Sequence, residues 1–288
     1  MSSVSELKEL REILLLATQF LEKAGVAAPR REAEFLLARW ASLSRTELYM
    51  NLDRPCTEGE LVSLRALLKR RAKREPLSYI FGETEFFGAF FEVGPAALIP
   101  RNETEILVAK VADIIKKEVA TPLVVLDLCC GSGCIGMSLK KHFPAIELYA
   151  SDLSVEALAL ARRNSVKNGL SVEFLQGDLL APFLPRKADL ILCNPPYISE
   201  SEFKDLEPEV RLFEPKMALV SGATGLEFYE KLERTLPEAL KPHGKVVFEI
   251  GGLQADALFA LFAAPIWVNK RVEKDFGGHD RFFFLEIE

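Results

Sequence analysis

Two short segments of this sequence carry residue types whose combination points to a reaction. The first is Asn194-Pro195-Pro196-Tyr197. Two consecutive prolines fix φ and remove two backbone donors. What remains is a rigid set of acceptors, the Asn194 side-chain oxygen and the Pro195 carbonyl, beside an aromatic ring. That set suits a planar NH2 group, either an amide or an exocyclic amine. Two acceptors hold its hydrogens, Tyr197 packs on the π-face, and the nitrogen lone pair is left facing an electrophile such as a sulfonium methyl. Preorganised dipoles then stabilise the positive charge that develops on nitrogen. No general base is required, because a methylated, protonated amide is very acidic. The presence of only three histidines, His142, His243 and His279, is therefore no objection. Taken alone, the tetrapeptide could be an ordinary proline turn.

The second segment is Asp127-Leu128-Cys129-Cys130-Gly131-Ser132-Gly133-Cys134-Ile135-Gly136, which follows the apolar run Leu123–Leu128. Glycines at a strand-to-helix turn let a ligand approach the backbone closely. Asp152 stands 19 residues after Gly133, where a carboxylate can accept both hydroxyls of a ribose. The pattern also satisfies G-x-G-x-x-G, so a dinucleotide site competes with other nucleosides. Asp127 suits a cationic or amine-bearing ligand. Asp178, within Gln176-Gly177-Asp178-Leu179, could bond an adenine amino group, though a capping role is as good for it alone. Cys129, Cys130 and Cys134 lack the paired knuckles or histidine partners that zinc prefers, so they are expected to pack the turn and no metal is expected.

The elements needed to position these segments are legible in the periodicity. Residues 4 to about 75 read as helices, with Leu7, Leu10, Leu14, Ala17 and Leu21 on one face. Pro29 opens a second helix, Ser44 with Glu47 and Thr57 with Glu60 form capping boxes, and Leu61–Lys73 is a last helix. Aromatic runs punctuated by glycine, Tyr79–Gly82 and Glu85–Val93, give a hairpin signal. Beyond it a helix spans Thr104–Val119, and strands then alternate with helices. Strands are expected at 123–128, 147–151, 172–175, 188–193 and 245–250, with a sixth beginning at Ile266 and a last one at 281–287. The intervening helices are Cys134–His142, one from the cap Ser154 to Asn168, one near 226–240, and one ending at Phe262. Such alternation implies a parallel, doubly wound sheet. The Phe276-Gly277-Gly278 turn is too short for a helical crossover, so the last strand should run antiparallel. The expected domains are a helical bundle over 1–76, a hairpin linker over 77–98 and an α/β domain over 99–288.

Composition limits the partners. The chain has 288 residues and a net charge of -6. Residues 1–75 carry +3, which leaves -9 for the remainder. An acidic α/β domain is not built to hold a nucleic-acid backbone. The basic run Lys69, Arg70, Arg71, Lys73, Arg74 reads as a solvated face with cations at a helix C-terminus, or as a face for an acidic or RNA-associated partner. Five cysteines, an odd number with three bunched, fit a reducing compartment. With no secretory pattern and no long apolar run, the expected location is the cytoplasm and no membrane association is expected.

The sequence resembles the bacterial HemK/PrmC family of glutamine-amide methyltransferases. The likeness rests on the hairpin with Gly82 and Glu85-Phe86-Phe87-Gly88, and on Leu98-Ile99-Pro100-Arg101-Asn102-Glu103-Thr104-Glu105. It also rests on the glycine turn, Asn194–Tyr197, Phe213-Glu214-Pro215 with Ala218-Leu219, and Gly225-Leu226. Asn-Pro-Pro-Tyr alone is shared with adenine-N6 methyltransferases. The resemblance implies a Rossmann-like class I methyltransferase sheet of seven strands, the last antiparallel, behind a small helical domain that helps recognise the substrate protein. It implies S-adenosyl-L-methionine as cofactor, held by Asp127, Cys129, Cys130, Gly131, Ser132, Gly133, Asp152, Asp178, Leu179 and Asn194. The substrate would be the glutamine of the Gly-Gly-Gln motif in class I peptide chain release factors. Asn194, Pro195, Pro196 and Tyr197 would bind it and carry the reaction, with Arg101 and Glu103 lining the site. The sequence departs from the family in two places. Cys129 and Cys130 stand where glycine and a small residue are usual, and Asn102 replaces a proline. Cys129 is expected to keep an allowed backbone. An adenine methyltransferase, an NAD-dependent oxidoreductase and a non-catalytic nucleoside-binding protein are the alternatives.

Overall fold

The computed structural model describes residues 7–118 and 122–288. Residues 4–6 of the expected first helix and Val119 of the later one fall outside that range. The chain divides into two compact units. One holds the described residues through Gly82 together with Pro208–Phe213; the other holds Glu83–Glu207 and Glu214–Glu288.

The first unit is helical. Helices α1 (Leu10–Lys23), α2 (Pro29–Ala41), α3 (Arg45–Met50) and α4 (Glu58–Ala72) are followed by a short α5 (Leu77–Phe81). Leu10, Leu14, Ala17 and Leu21 of α1 are buried against Ala33, Leu36 and Leu37 of α2 and Leu61, Leu64 and Leu68 of α4. Both capping boxes form. Ser44 Oγ accepts from Glu47 N at 3.1 Å, and Thr57 Oγ1 from Glu60 N at 3.3 Å, with each glutamate reaching back to its cap. Each is worth ~1 kcal/mol. Tyr79–Phe81 is not strand, as its aromatic character suggested. Tyr79 N and Ile80 N both bond to Pro76 O, and Gly82 ends the turn at φ +76°. Ile80 then joins the helical core.

In the basic run at the end of α4 the three arginines are paired, while Lys69 and Lys73 are exposed. Arg70 pairs with Glu75 at 2.6 Å. Arg71, only 4% exposed, pairs with Glu32 and, at 2.9 Å, with Glu209. Arg74 meets Glu209 at 2.6 Å. Glu209 comes from Pro208–Phe213, a segment that the periodicity had given to the α/β domain.

The second unit begins with the hairpin of β1 (Glu83–Phe86) and β2 (Ala89–Glu92). Phe87 and Gly88 both have positive φ, +48° and +70°, the signature of the tight turn that matches strand twist. Helix α6 (Asn102–Ile115) leads to β3 (Val124–Leu128), α7 (Cys134–His142), β4 (Glu147–Asp152), α8 (Val155–Lys167), β5 (Glu173–Gln176) and β6 (Ala188–Cys193). After α9 (Glu227–Ala239) come β7 (Leu240–Glu249), α10 (Ala255–Leu261), β8 (Trp267–Lys274) and β9 (Asp280–Ile287). The seven strands lie in the order β8-β9-β7-β6-β3-β4-β5, and β9 alone runs against its neighbours. As expected, the sheet is doubly wound with an antiparallel last strand. That strand is inserted between β7 and β8.

The central strands are buried on both faces. Val125, Leu190, Leu192 and Val247 pack toward one helical layer, and Leu126, Leu128, Ile191, Val246 and Phe248 toward the other. Strand order reverses between β3 and β6, where ligands of open parallel sheets sit. The register levels the strand ends: Leu128 pairs with Ser151 and with Cys193, and Cys193 with Phe248. The next residues along each strand, Cys129, Asp152, Asn194 and Glu249, therefore form one row along the top of the sheet.

Candidate active site

The glycine turn is built by its own backbone. Cys130 N bonds to Ser151 O at 2.9 Å, and Gly133 N to Cys130 O at 2.7 Å. Gly131 and Gly133 take φ of +54° and +78°, and so does Cys129, at +54°. Cys129 thus keeps an allowed conformation, but it is the left-handed one that glycine normally fills, at a cost of ~1–2 kcal/mol. Leu179, across the cleft, has φ +52°. Asn164 on α8, fully buried, fixes the turn from behind. Its Nδ2 donates to Ser132 O at 3.0 Å and to Glu92 O at 3.1 Å, and its Oδ1 accepts from Glu92 N at 2.6 Å. Nothing in its sequence context marks it, because the partners lie 72 and 32 residues away.

A cleft of about 920 Å³, counting its open mouth, runs over this turn, within the ~300–1,000 Å³ of small-molecule sites. Of the residues singled out in the sequence, Arg101, Cys129, Cys130, Gly131, Ser132, Asp152, Asp178, Leu179, Asn194 and Pro196 line it. Asp127, Gly133, Pro195, Tyr197 and Glu103 do not. Glu103 is exposed on α6. Asp127 lies under the turn, 1% exposed, where Oδ2 accepts from Gly136 N at 2.9 Å and Oδ1 has no partner. Burial, with the nearby Asp152 charge adding, pushes its carboxyl up to about 7 against that bond. Asp152 faces the cleft while accepting from Gly131 N and Ser154 N, both at 2.9 Å. Its pKa is raised, chiefly by burial. Asp178 is half exposed and pairs with Lys231 at 3.1 Å, a contact worth little in water.

The opposite wall joins two segments far apart in sequence. The buried Glu214 carboxylate accepts from Ile99 N at 3.1 Å with one oxygen and from Arg101 with the other. It thereby holds Leu98–Arg101 beside Pro215 and Met217 on the cleft wall.

The Asn-Pro-Pro-Tyr turn is held by residues that the sequence did not single out. Gln254 Nε2 donates to Tyr197 O at 2.9 Å and to Gly225 O at 3.1 Å, while its Oε1 accepts from Gly251 N at 2.8 Å. Arg281 on β9 lies near the Tyr197 hydroxyl. Burial, with Glu249 adding, pushes that hydroxyl up to about 12 despite the pull of Arg281 and Arg101. Tyr197 is therefore a neutral phenol at ordinary pH and supplies shape, not basicity. Among the described residues no group of three His, Cys, Asp or Glu is arranged to hold a metal ion. Burial raises the Cys134 thiol to about 12 and Cys130 well above its usual value, so both are neutral packing groups.

Asp152 and Asp178 present carboxylates to the cleft, and an unpartnered carboxylate oxygen of Asp127 sits beneath the turn.

Comparison with known proteins agrees with this geometry. The model of the PrmC N-terminal domain matches residues 12–82, and that of the methyltransferase small domain matches residues 103–214. A release factor glutamine methyltransferase of Chlamydia trachomatis serovar D is 40% identical over 279 residues, 96% of this chain and 94% of its own. One of Geobacter sulfurreducens is 38% identical over 281 residues, 98% of each chain. A methyltransferase of Pyrococcus furiosus shares the fold, with a TM-score of 0.54 at 18% identity over 76% of this chain and 98% of that one. With matches of this identity running along nearly its whole length, the chain belongs to the release factor glutamine methyltransferase family.

Proposed function

We propose that this enzyme methylates the side-chain amide nitrogen of the glutamine in the Gly-Gly-Gln motif of class I peptide chain release factors, in the cytoplasm, with S-adenosyl-L-methionine as methyl donor. The observation that carries it is the placement of Asn194 on the same cleft wall as Cys129–Ser132 and Asp152. Cys129, Cys130, Gly131, Ser132, Asp152, Asp178 and Leu179 would hold the cofactor, which supplies an electrophilic methyl on a sulfonium. Asp127, beneath the turn, would act on the cofactor's charge through the field of its free oxygen.

The chain's own residues do the rest. Asn194 Oδ1 and the Pro195 carbonyl take the two amide hydrogens of the glutamine and fix its plane. Tyr197 covers the π-face, and the Gln254 bond to its carbonyl holds its backbone in place. Fixed dipoles that need no reorganisation favour the charge growing on nitrogen. Arg101, held by Glu214, and the nearby exposed Glu103 belong to the rim over which the loop carrying the glutamine would pass. The helical unit would supply recognition of the factor. Arg70, Arg71 and Arg74 are paired within that unit, and the chain carries a net charge of -6, which favours a protein over a nucleic acid as partner. No helix among the described residues is long and apolar enough to cross a membrane.

The test is transfer of labelled methyl from S-adenosylmethionine to a release factor and to its Gln→Ala variant. The expected result is label on the first only. Equal label on both, or label on an adenine-containing oligonucleotide instead, would overturn the assignment.

A further inference from the structure

The end of the sheet that carries the cleft extends to both sides of Asn194. Asp152 ends β4 and Asp178 follows β5, so the carboxylates assigned to the cofactor lie on one side. On the other side the sheet continues through β7 and β9. Glu249, the last residue of β7, pairs with Phe282 near the start of β9. The loop after β7 and the turn before β9 therefore both stand at the cleft end. Each raises one large apolar side chain into water. Leu253 is 97% exposed and Phe276 95%, more than any other large apolar residue among the described ones.

Single exposed apolar residues are ordinary and mean nothing alone. This pair differs in being adjacent, rigidly presented and joined to the Asn-Pro-Pro-Tyr turn. The two loops touch. Ile250 N bonds to Arg281 O at 2.9 Å, Arg281 Nη1 donates to Ile250 O at 3.1 Å, and a Cβ built on Gly252 would lie 3.6 Å from His279 Cβ. Phe276 rides a closed turn. Asp275 N bonds to His279 O at 2.9 Å, and the Asp275 carboxylate accepts from His279 N at 3.0 Å and from Arg281 Nε at 3.2 Å. Leu253 stands in a turn closed by Gln254 N to Gly251 O at 3.0 Å and by Gly251 N to Gln254 Oε1 at 2.8 Å. Gln254, the next residue, donates to Tyr197 O at 2.9 Å. Lys274 and Asp280, paired at 2.6 Å, add a polar border. Apolar groups inside a polar border, on backbone already fixed, are the form of a contact surface that loses little freedom on meeting a partner.

We infer that Leu253 and Phe276 form a docking surface for the protein substrate, taking up apolar side chains on the chain that carries the glutamine into the cleft. This rests on the reading of the substrate as a release factor. A glutamine presented by a folded protein brings polypeptide with it. With the cofactor over β4 and β5, that polypeptide passes over β7 and β9, where these two side chains stand.

The experiment compares the full-length wild type with Leu253→Ser, Phe276→Ser, the double variant, and Phe276→Leu, which keeps apolar surface. It measures kcat and KM for methylation of an intact release factor, S-adenosylmethionine affinity by calorimetry, and sedimentation velocity at assay concentrations. Burial of one such side chain strengthens association by roughly 10- to 100-fold. Each serine variant is therefore expected to raise the KM for the factor ~10-fold, and the double variant ~50-fold or more. With kcat and cofactor affinity unchanged within about threefold, the loss is one of binding alone. Neither side chain packs on the fold, so the melting temperature should stay within about 2 °C of wild type. Phe276→Leu should hold KM within about threefold. A double variant whose KM is unchanged, or whose loss lies in kcat, would overturn the inference. So would a wild-type dimer that the double variant dissociates while its KM stays the same, because the occupant would then be a second copy of this chain. Failure of the release factor reading would look different: the wild type itself would put no glutamine-dependent label on the factor. Failure of the docking surface leaves wild-type labelling intact and the variants equal to it.

Discussion

Gly225 offers a sharp test of how tightly the Asn-Pro-Pro-Tyr turn must be held. Its φ is +81°, and a Cβ added there would lie 2.5 Å from the Tyr197 carbonyl oxygen and 3.0 Å from Gln254 Nε2. Neither neighbour has room to yield. Tyr197 O is part of the Asn-Pro-Pro-Tyr backbone, and Gln254 is fastened at both ends of its amide. Ordinary contact begins near 3.4 Å, so Gly225→Ala must open the gap by roughly 0.9 Å, and a misplacement of ~1 Å at a reacting group costs ~100-fold in rate. The left-handed alanine adds ~1 kcal/mol of strain, which lowers the melting temperature by about 2–4 °C in a protein of this size. Gly225 does not touch the cofactor turn. We therefore expect kcat on a release factor to fall ~100-fold, with S-adenosylmethionine affinity by calorimetry unchanged within about threefold. A kcat within threefold of wild type would mean that Tyr197 tolerates displacement. The account of a rigid acceptor array would then be wrong.

Three further expectations follow from the geometry. Asn194→Ala should keep cofactor affinity within a few-fold and lower turnover by roughly 100-fold, the scale of one preorganised polar group; near-normal turnover in a single-turnover assay would refute its role. Asp127 holds a proton in the folded state up to about pH 7 but loses it near its ordinary pKa when unfolded. Its contribution to stability is therefore complete in acid and lost as pH rises through 7. Glu249, raised the same way, adds to the trend. Asp127→Asn, which can still accept from Gly136 N, should raise the urea midpoint at pH 8 more than at pH 5, and an equal shift at both would contradict this. Glu209→Gln removes the charged partner shared by Arg71 and Arg74, whose side chains are 4% and 22% exposed. The expected loss is ~1–2 kcal/mol, reduced because Arg71 keeps Glu32, and an unchanged thermal midpoint would count against it.

The sheet and the two segments that meet at the cleft are legible in the sequence because each is local. Apolar runs such as Leu123–Leu128 become doubly covered strands, and proline pairs and glycine turns dictate backbone shape within a few residues. Burial is less legible. Asp127 reads as a ligand for a cation, yet the register places it beneath the turn, where it bonds Gly136. Tyr79–Phe81 has strand-forming side chains, but Pro76 and Gly82 close it as a helical turn. Gln254, Arg281 and Asn164 were not legible as site residues. Each acts through partners on other strands or helices, and only the assembled row of strand ends brings them together. Glu214 was visible as a family feature, and its reason, a carboxylate that ties Ile99 and Arg101, is visible only in the fold.

The short stretch Pro208–Phe213 has a consequence for the order in which the molecule is made. Because it belongs to the helical unit, the chain passes between the units at three points, after Gly82, after Glu207 and after Phe213. The first unit is synthesised first and has most of its core within 82 residues. Yet Arg71 and Arg74 wait for a carboxylate that lies 138 and 135 residues further along. Joining points so distant is slow, because loop closure must precede the contact that rewards it. During synthesis the bundle therefore exists for a time as a nearly complete fold with buried arginine charge short of a partner. It is finished only when the segment following the Asn-Pro-Pro-Tyr turn has emerged, and maturation of the helical unit is thereby tied to synthesis of the cleft.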